Sequence, residues 1–300
     1  MRFLKTYGFV IGLLVCLVFS LVVSLYLHPL SYYGIKSVPE ILLLLLVGFL
    51  AGLLGGLLGL GGGVIMLPAL DFWLGYSSPA AIGTALFAVI FTVISGAYGH
   101  YIRGNTSRQI SRDISISGVV GILVGSYIFT LLLGEIKLLN LCMGIFFLLP
   151  AYLMTRDGIK RQNESHLNGE HETIIAKYHI QRRTWLLGLG FVVGLLTGTL
   201  GLGGGFLLVP GITYGLGLSV HLAVGSTMLS VIPITIAGSL VKLAQGLVVL
   251  PAVFCLAIGT VTGAQLGAAL IKYFQAWALK LVFGIYFLYV AIKYISAFWG

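Results

Sequence analysis

The sequence predicts an all-α polytopic membrane protein made of two homologous modules arranged as inverted repeats, each with a glycine-broken re-entrant helix pair, with one extra helix in front. Three observations predict it. Of 300 residues, 59% are hydrophobic and only 8% are charged, whereas a soluble domain carries about 25% charged residues. Apolar runs approaching the ~20 residues that cross a hydrocarbon core recur along the whole length. One block of sequence also occurs twice.

A mean hydropathy of +1.08 leaves too little polar surface for a globule in water. The first apolar run, about 7–27, follows Arg2 and Lys5. It is long for a signal-peptide core and no clear A-x-A site follows it, so it reads as a retained helix. Further runs fall at about 41–58, 64–74, 80–99, 114–134, 138–154, 185–200, 206–216, 222–241, 249–271 and 278–298. Two of them, 64–74 and 206–216, are too short to span alone. Each follows a glycine cluster and contains a proline, Pro68 or Pro210.

The duplication is the strongest signal. Residues 48–68 read GFLAGLLGGLLGLGGGVIMLP and residues 190–210 read GFVVGLLTGTLGLGGGFLLVP. LGLGGG is identical in both, and the register continues from Ala81-Ile82-Gly83-Thr84 to Ala223-Val224-Gly225-Ser226. Repetition of this length marks a tandem duplication. It divides the chain into an extra N-terminal helix and connector (1–39), a first module (40–155), a hydrophilic linker (156–183) and a second module (184–300). The linker is placed in the cytoplasm because it gathers Arg156, Lys160, Arg161, Lys177, Arg182 and Arg183.

Net charge is +9. Lys and Arg cluster in loops, as orientation in a membrane requires, and no basic face is interleaved with aromatics, so nucleic acid is not an expected partner. Cys16, Cys142 and Cys255 each lie in an apolar run without metal-ligand or CxxC spacing, and read as small buried hydrophobes. No metal or cofactor is expected. HExxH, GxSxG and Walker A signatures are absent, and no strand precedes the GLGGG blocks, so neither an enzyme nor a dinucleotide site is expected.

Whether 41–74 crosses once or turns back decides whether the modules are parallel or inverted. Thirteen of the 17 Lys and Arg fall inside in the inverted arrangement and twelve in the parallel one, which barely separates them. The backbone favours a hairpin. A glycine-rich middle such as 59–63 costs about 1 kcal/mol per glycine in a helix, and broken backbone at membrane depth needs protein or a cavity to supply partners.

Gly61, Gly62 and Gly63, and their copies Gly203, Gly204 and Gly205, each precede a short helix. The first amides of a helix have no internal partner, aligned peptides add positive charge there, and glycine lets a ligand approach the backbone. Two such starts would cradle a small anion without a lysine in the hydrocarbon. Close packing is the alternative role of glycine, and it suits Gly48, Gly52, Gly55, Gly190, Gly194 and Gly263. Thr84, Ser226 and Thr227 follow the short helices and could donate hydroxyls to anion oxygens, or bond their own helices. Gln265 is a ligand or a helix-to-helix bond. His100 and Lys242 occupy matching helix ends and are functional candidates, or snorkel to the headgroups. Asp71 could relay a coupled proton, or simply end a loop.

GLLGLGGGVIMLP, AAIGTALFAVIFTVISGAYGHYIRGN, GTLGLGGGFLLVP and AVGSTMLSVIPITIAGS together resemble the sulfite exporter TauE/SafE family, also called the toluene-sulfonate uptake permease family. The resemblance covers about residues 40–298. It implies a permease of the cell (inner or plasma) membrane for a sulfur-containing anion such as sulfite, thiosulfate, sulfoacetate or another organosulfonate. It carries over the six glycines, Thr84 with Ser226, and the basic end at His100, Arg103, Gly104 and Asn105. The second half reads Lys242, Ala244, Gln245 and Gly246 there, so Arg103 has no basic twin and topology explains it equally. An anion channel, or a proton-coupled carrier of another small organic anion, is the rival reading.

Overall fold

The computed structural model describes residues 2–27, 38–162, 180–271, 273 and 276–299. Most of the hydrophilic linker lies outside them, and so does the cytoplasmic placement expected for it. Every element among the described residues is helical. They are α1 (Arg2–Leu27), α2 (Val38–Leu58), α3 (Gly63–Pro68) continued by a π-helical turn (Ala69–Trp73), α4 (Ser78–Tyr101), α5 (Arg108–Leu132), α6 (Ile136–Gln162), α7 (Ile180–Leu200), α8 (Gly205–Leu216), α9 (Val220–Ala244), α10 (Leu250–Leu270) and α11 (Ala276–Trp299). Eight are long and apolar enough to cross a membrane.

Local chemistry sets the boundaries. α2 and α7 stop where glycines take positive φ, at Gly59 (73°) and Gly201 (71°). Proline at position 68 cannot donate to a helical carbonyl. The chain answers with a π-turn, in which the Leu74 amide reaches the Ala69 carbonyl at 3.1 Å. Gly104 (φ 75°) and Gly246 (φ 71°) end α4 and α9 alike: the Asn105 amide returns to the His100 carbonyl, and the Leu247 amide to that of Lys242. A glycine in the left-handed region after the last turn ends helices this way. α6 runs past its apolar run as far as Gln162, since Arg156, Lys160 and Arg161 are good helix formers.

The chain forms two compact units. One holds Met1–Tyr127 and Gln181–Ile271, the other Ile128–Ile180 and Lys272–Gly300. In the second, α6 and α11 run antiparallel: Gly144 lies against Ile295 and Ala291, Gly284 against Thr155. Phe147 stacks on Tyr294 with centroids 5.9 Å apart.

The larger unit is held by glycine seams. On α2, Gly48, Gly52 and Gly56 abut the backbone of Leu256, Thr260 and Ala264 on α10; Gly259, Gly263 and Gly267 of α10 reply against Leu45, Phe49 and Leu53. The register rises on both helices, so the two are parallel. On the other side Gly190, Gly194 and Gly198 of α7 meet Ile114, Gly118 and Ile122 of α5, again in parallel. Without side chains at the contact, dispersion and Cα–H···O contacts join the backbones directly. Gly55 differs from its neighbours, because it faces Gly61 and Gly62 of its own chain turn.

The other pairs follow. α4 runs parallel to α10, with the Ser95 hydroxyl donating to the Val261 carbonyl at 2.8 Å and Gly99 against Ala268. α5 runs parallel to α9, with Ser111 on the Ser226 carbonyl and Ser115 on that of Ser230. α4 and α9 are antiparallel, because Gly83 meets Leu247 while Gly225 meets Asn105 and His100. Hence α2, α4 and α10 point one way, and α5, α7 and α9 the other. α1 lies on α10 and α4 through Val10, Leu17, Ala257, Val261 and Phe91, with Phe9 tilted 5.1 Å from Tyr98.

Candidate functional site

The two glycine breaks meet in the middle of the larger unit. A Cβ on Gly63 would stand 3.1 Å from the Leu202 carbonyl oxygen, one on Gly203 would stand 3.5 Å from that of Leu60, and one on Gly205 would collide with the Gly59 carbonyl. Gly61, Gly62, Gly203 and Gly204 have φ of 74°, 78°, 76° and 65°, a region that costs an L-residue about 1–2 kcal/mol. Packing therefore explains Gly63 and Gly205, and conformation explains the other four.

Neither explains the amides. Residues 59–64 and 201–206 are buried. Gly59 and Gly201 still donate to the carbonyls of Gly55 and Thr197, and Gly205 donates to that of Gly203. Among the described residues no backbone hydrogen bond uses the amides of Leu60, Gly61, Gly62 and Gly63, or of Leu202, Gly203 and Gly204. Buried N–H groups are rarely left so. A left-handed residue next to a right-handed one, as Gly62 next to Gly63 and Gly204 next to Gly205, forms a concavity of amides suited to an anion. The six-residue α3 contributes little dipole, so the concavity rather than the helix start carries the site. Val89 and Val93 of α4 cover it, lying against Gly61, with Val89 also against Gly63 and Gly203. The breaks are occluded in this conformation.

The hydroxyl candidates separate. Thr84 Oγ1 accepts the Val249 amide at 3.1 Å, ahead of α10, and Ser226 Oγ accepts the Ser107 amide at 2.9 Å, ahead of α5. Both oxygens thus serve as matching helix anchors. Thr227 is fully buried and its Oγ1 has no partner among the described residues. Gln265 makes the helix-to-helix bond, donating Nε2 to the Ser95 carbonyl at 2.5 Å and to its hydroxyl at 3.3 Å.

His100 and Lys242 do not reach for headgroups, because both are 0% exposed. Their helix ends turn inward against the bundle. His100 Nε2 lies 3.0 Å from the Gly56 carbonyl oxygen, just before the first break. Asp71 accepts from Ser78 at 3.4 Å where the π-turn leads into α4. The cysteines also differ from expectation: Cys255 is buried, Cys142 half-buried, and Cys16 exposed. α1 presents Cys16 on its outward apolar side, where a small hydrophobe suits lipid as well as protein.

Sequence reasoning missed two buried groups. Thr197 Oγ1 has no partner among the described residues and stands 2.8 Å from where a Cβ on Gly204 would be. Its counterpart at the same offset is Gly55, so no repeated hydroxyl marked it. Asp113, 1% exposed in its side chain, receives Arg112 at 3.4 Å and Arg183 at 3.5 Å, tying the start of α7 to α5. Tyr76, outside the spans, donates to Glu40 at 3.2 Å. Burial and then that carboxylate hold its hydroxyl pKa above the ordinary tyrosine value.

Eight helices long and apolar enough to cross a membrane, with two broken backbone segments buried inside the larger unit, mark a multi-pass membrane protein, and its relatives are named as membrane transporters. The chain belongs to the sulfite exporter TauE/SafE family, which matches residues 44–294. It is similar to the "Probable membrane transporter protein YdhB" of Bacillus subtilis (strain 168), 29% identical over 231 residues, covering 76% of this chain and 89% of that one. A "Probable membrane transporter protein" of Xylella fastidiosa (strain 9a5c) is 30% identical over 258 residues, covering 85% and 93%. The "Probable membrane transporter protein YunE" of Bacillus subtilis (strain 168) is 28% identical over 271 residues, covering 84% and 96%. No solved structure matches the chain significantly.

Proposed function

We propose that the chain is a secondary transporter for a small sulfur-containing anion such as sulfite, thiosulfate, sulfoacetate or another organosulfonate. It works by alternating access around the paired glycine breaks. The observation that carries this reading is the set of seven buried amides, four in one break and three in the other, that no carbonyl among the described residues engages. An oxyanion with several acceptor oxygens answers several donors at once, and helix ends and broken backbone hold anions in transporters without a buried lysine.

The two halves act as inverted repeats, each opening with a re-entrant hairpin. Helix directions support this: α4 and α9, at the same register in the two halves, are antiparallel, and so are α6 and α11. The hairpin is supported by Gly62 lying against Ala51 and by Tyr76 returning to Glu40 at the start of α2. Two inverted halves sharing one site can exchange which face is open by a symmetric motion. The valine cover then withdraws from one side at a time. Thr197 and Thr227 are the hydroxyls best placed to add to the amides, because their oxygens have no other partner among the described residues. Thr84, Ser226, His100, Lys242 and Gln265 complete the set of candidate residues, His100 through its contact with the Gly56 carbonyl just ahead of the first break.

Proteoliposome flux tests it, with sulfite, thiosulfate, sulfoacetate, methanesulfonate, sulfate and chloride as probes. Gly62→Val and Gly204→Val remove the conformation of the breaks and are expected to abolish flux of the sulfur anions. Gly203→Ala is the gentler change, since its Cβ meets nothing closer than 3.4 Å. Undiminished flux in all three variants defeats the proposal. Flux without saturation or counterflow identifies a channel instead.

A further inference from the structure

His100 closes the last turn of α4 with no exposed surface. Its Nε2 faces the Gly56 carbonyl at 3.0 Å. A carbonyl only accepts, so Nε2 bears the hydrogen and Nδ1 is a bare acceptor. Nδ1 has no partner among the described residues. The same holds for Gln265 of α10, whose Nε2 is committed to Ser95 and whose Oε1 has no partner among the described residues. That Oε1 stands 3.1 Å, and Arg103 Nη1 3.3 Å, from where a Cβ on Gly99 would be. Arg103 Nη1 itself donates to the Gly99 carbonyl. Two acceptors are thus buried around one helix turn, and an anion would only add more. What this place lacks is hydrogen.

We infer that His100 takes up a coupling proton on Nδ1 and carries it with the anion, so that the transporter is a proton–anion symporter. The inference rests on the anion-carrier reading above. The imidazolium keeps Nε2 on Gly56, just ahead of the first break, and turns Nδ1 into a donor for Gln265 Oε1 or for an anion oxygen. Two basic groups stand on the neighbouring elements: Arg103, just past the end of its own helix with Nη1 on the Gly99 carbonyl, and His221 in the first turn of α9. Among the described residues α2 sets the Gly56 carbonyl against it, and α10 brings the Gln265 carboxamide to the adjoining Gly99; neither group titrates. The facing cation makes a lone proton unwelcome, and a negative solute in the adjoining breaks offsets it. Each ligand then raises the other's affinity by the same factor. One proton with one monoanion crosses without net charge.

The test uses the full chain in proteoliposomes holding a pH-sensitive dye, with methanesulfonate outside. A sulfonate stays ionised throughout the useful pH range, so any proton that enters with it is carried by the protein. Wild type is expected to acidify the lumen as methanesulfonate enters. His100→Gln keeps the bond to Gly56 but not the proton. Whatever methanesulfonate flux remains is expected to carry protons at a ratio about tenfold or more below that of wild type. Arg103→Met leaves His100 in place and serves if His100→Gln does not fold; it moves the half-maximal pH of flux upward. An unchanged proton-to-anion ratio in His100→Gln, or an unmoved profile in Arg103→Met, overturns the inference. Wild-type anion flux without acidification overturns it too but leaves the carrier reading standing. Absence of any sulfur-anion flux defeats the carrier reading first.

Discussion

Thr84 and Ser226 show how a residue can be legible in position and opaque in role. Their matching places in the duplicated register are plain in the sequence. Their partners, the amides of Val249 and Ser107, lie far along the chain, and no local pattern announces them. Removing such an acceptor leaves a donor near the protein interior unanswered, at about 1–3 kcal/mol. Thr84→Val is therefore expected to lower the melting temperature in detergent, whereas Thr84→Ser, which keeps the oxygen, is expected to leave it nearly unchanged. Asp113 is opaque for another reason. It reads as one acid in a basic stretch, and only the packing of α5 on α7 puts Arg183 beside it. The two arginine side chains are 63% and 57% exposed, and screening by water reduces such pairs to a small contribution.

At the scale of elements, the sequence was most readable where glycine recurs. The spacing of Gly48 and Gly52, and of Gly190 and Gly194, announced close contact, and the seams are there. Which helix would be met was not readable, because a glycine face is equally complementary to any other. The seams make a sharp contrast testable. Gly52→Leu and Gly121→Leu drive a side chain into the Thr260 and Phe191 backbones, and are expected to abolish the monodisperse peak in size-exclusion chromatography. Gly12→Leu on α1, where a Cβ meets nothing within 4 Å, is expected to elute as wild type. The breaks themselves were visible as consecutive glycines. Their meeting face to face, with Val89 laid over them, needed the packed helices.

For the whole molecule, the charge distribution left the orientation of the halves nearly undecided, since a loop of few charges satisfies either arrangement. Helix directions support the inverted arrangement proposed above, and the loops provide its test. In the inverted arrangement the loop before α4 and its counterpart before α9 open on opposite faces; in the parallel one they share a face. Ser77→Cys and Ser219→Cys, each in a background with Cys16, Cys142 and Cys255 replaced by alanine, distinguish these. An impermeant maleimide applied to intact cells is expected to label Ser77→Cys at once and Ser219→Cys only after permeabilisation. Equal labelling of both from one side refutes the inverted arrangement.

The exchange of seams has a consequence for how the protein is made. α2 lodges against α10, which the ribosome delivers only near the end of the chain. At about 5–20 residues per second, the delay is on the order of tens of seconds. For most of it the first break lacks its facing copy, and to the end of it α2 lacks α10, while hydrocarbon offers nothing to the amides of the break. The nascent hairpin must therefore be sheltered, by the insertion machinery or at the aqueous boundary, until the final third of the protein arrives. Chains truncated before α10 should be recognised as unfinished and degraded, however well their earlier segments have inserted.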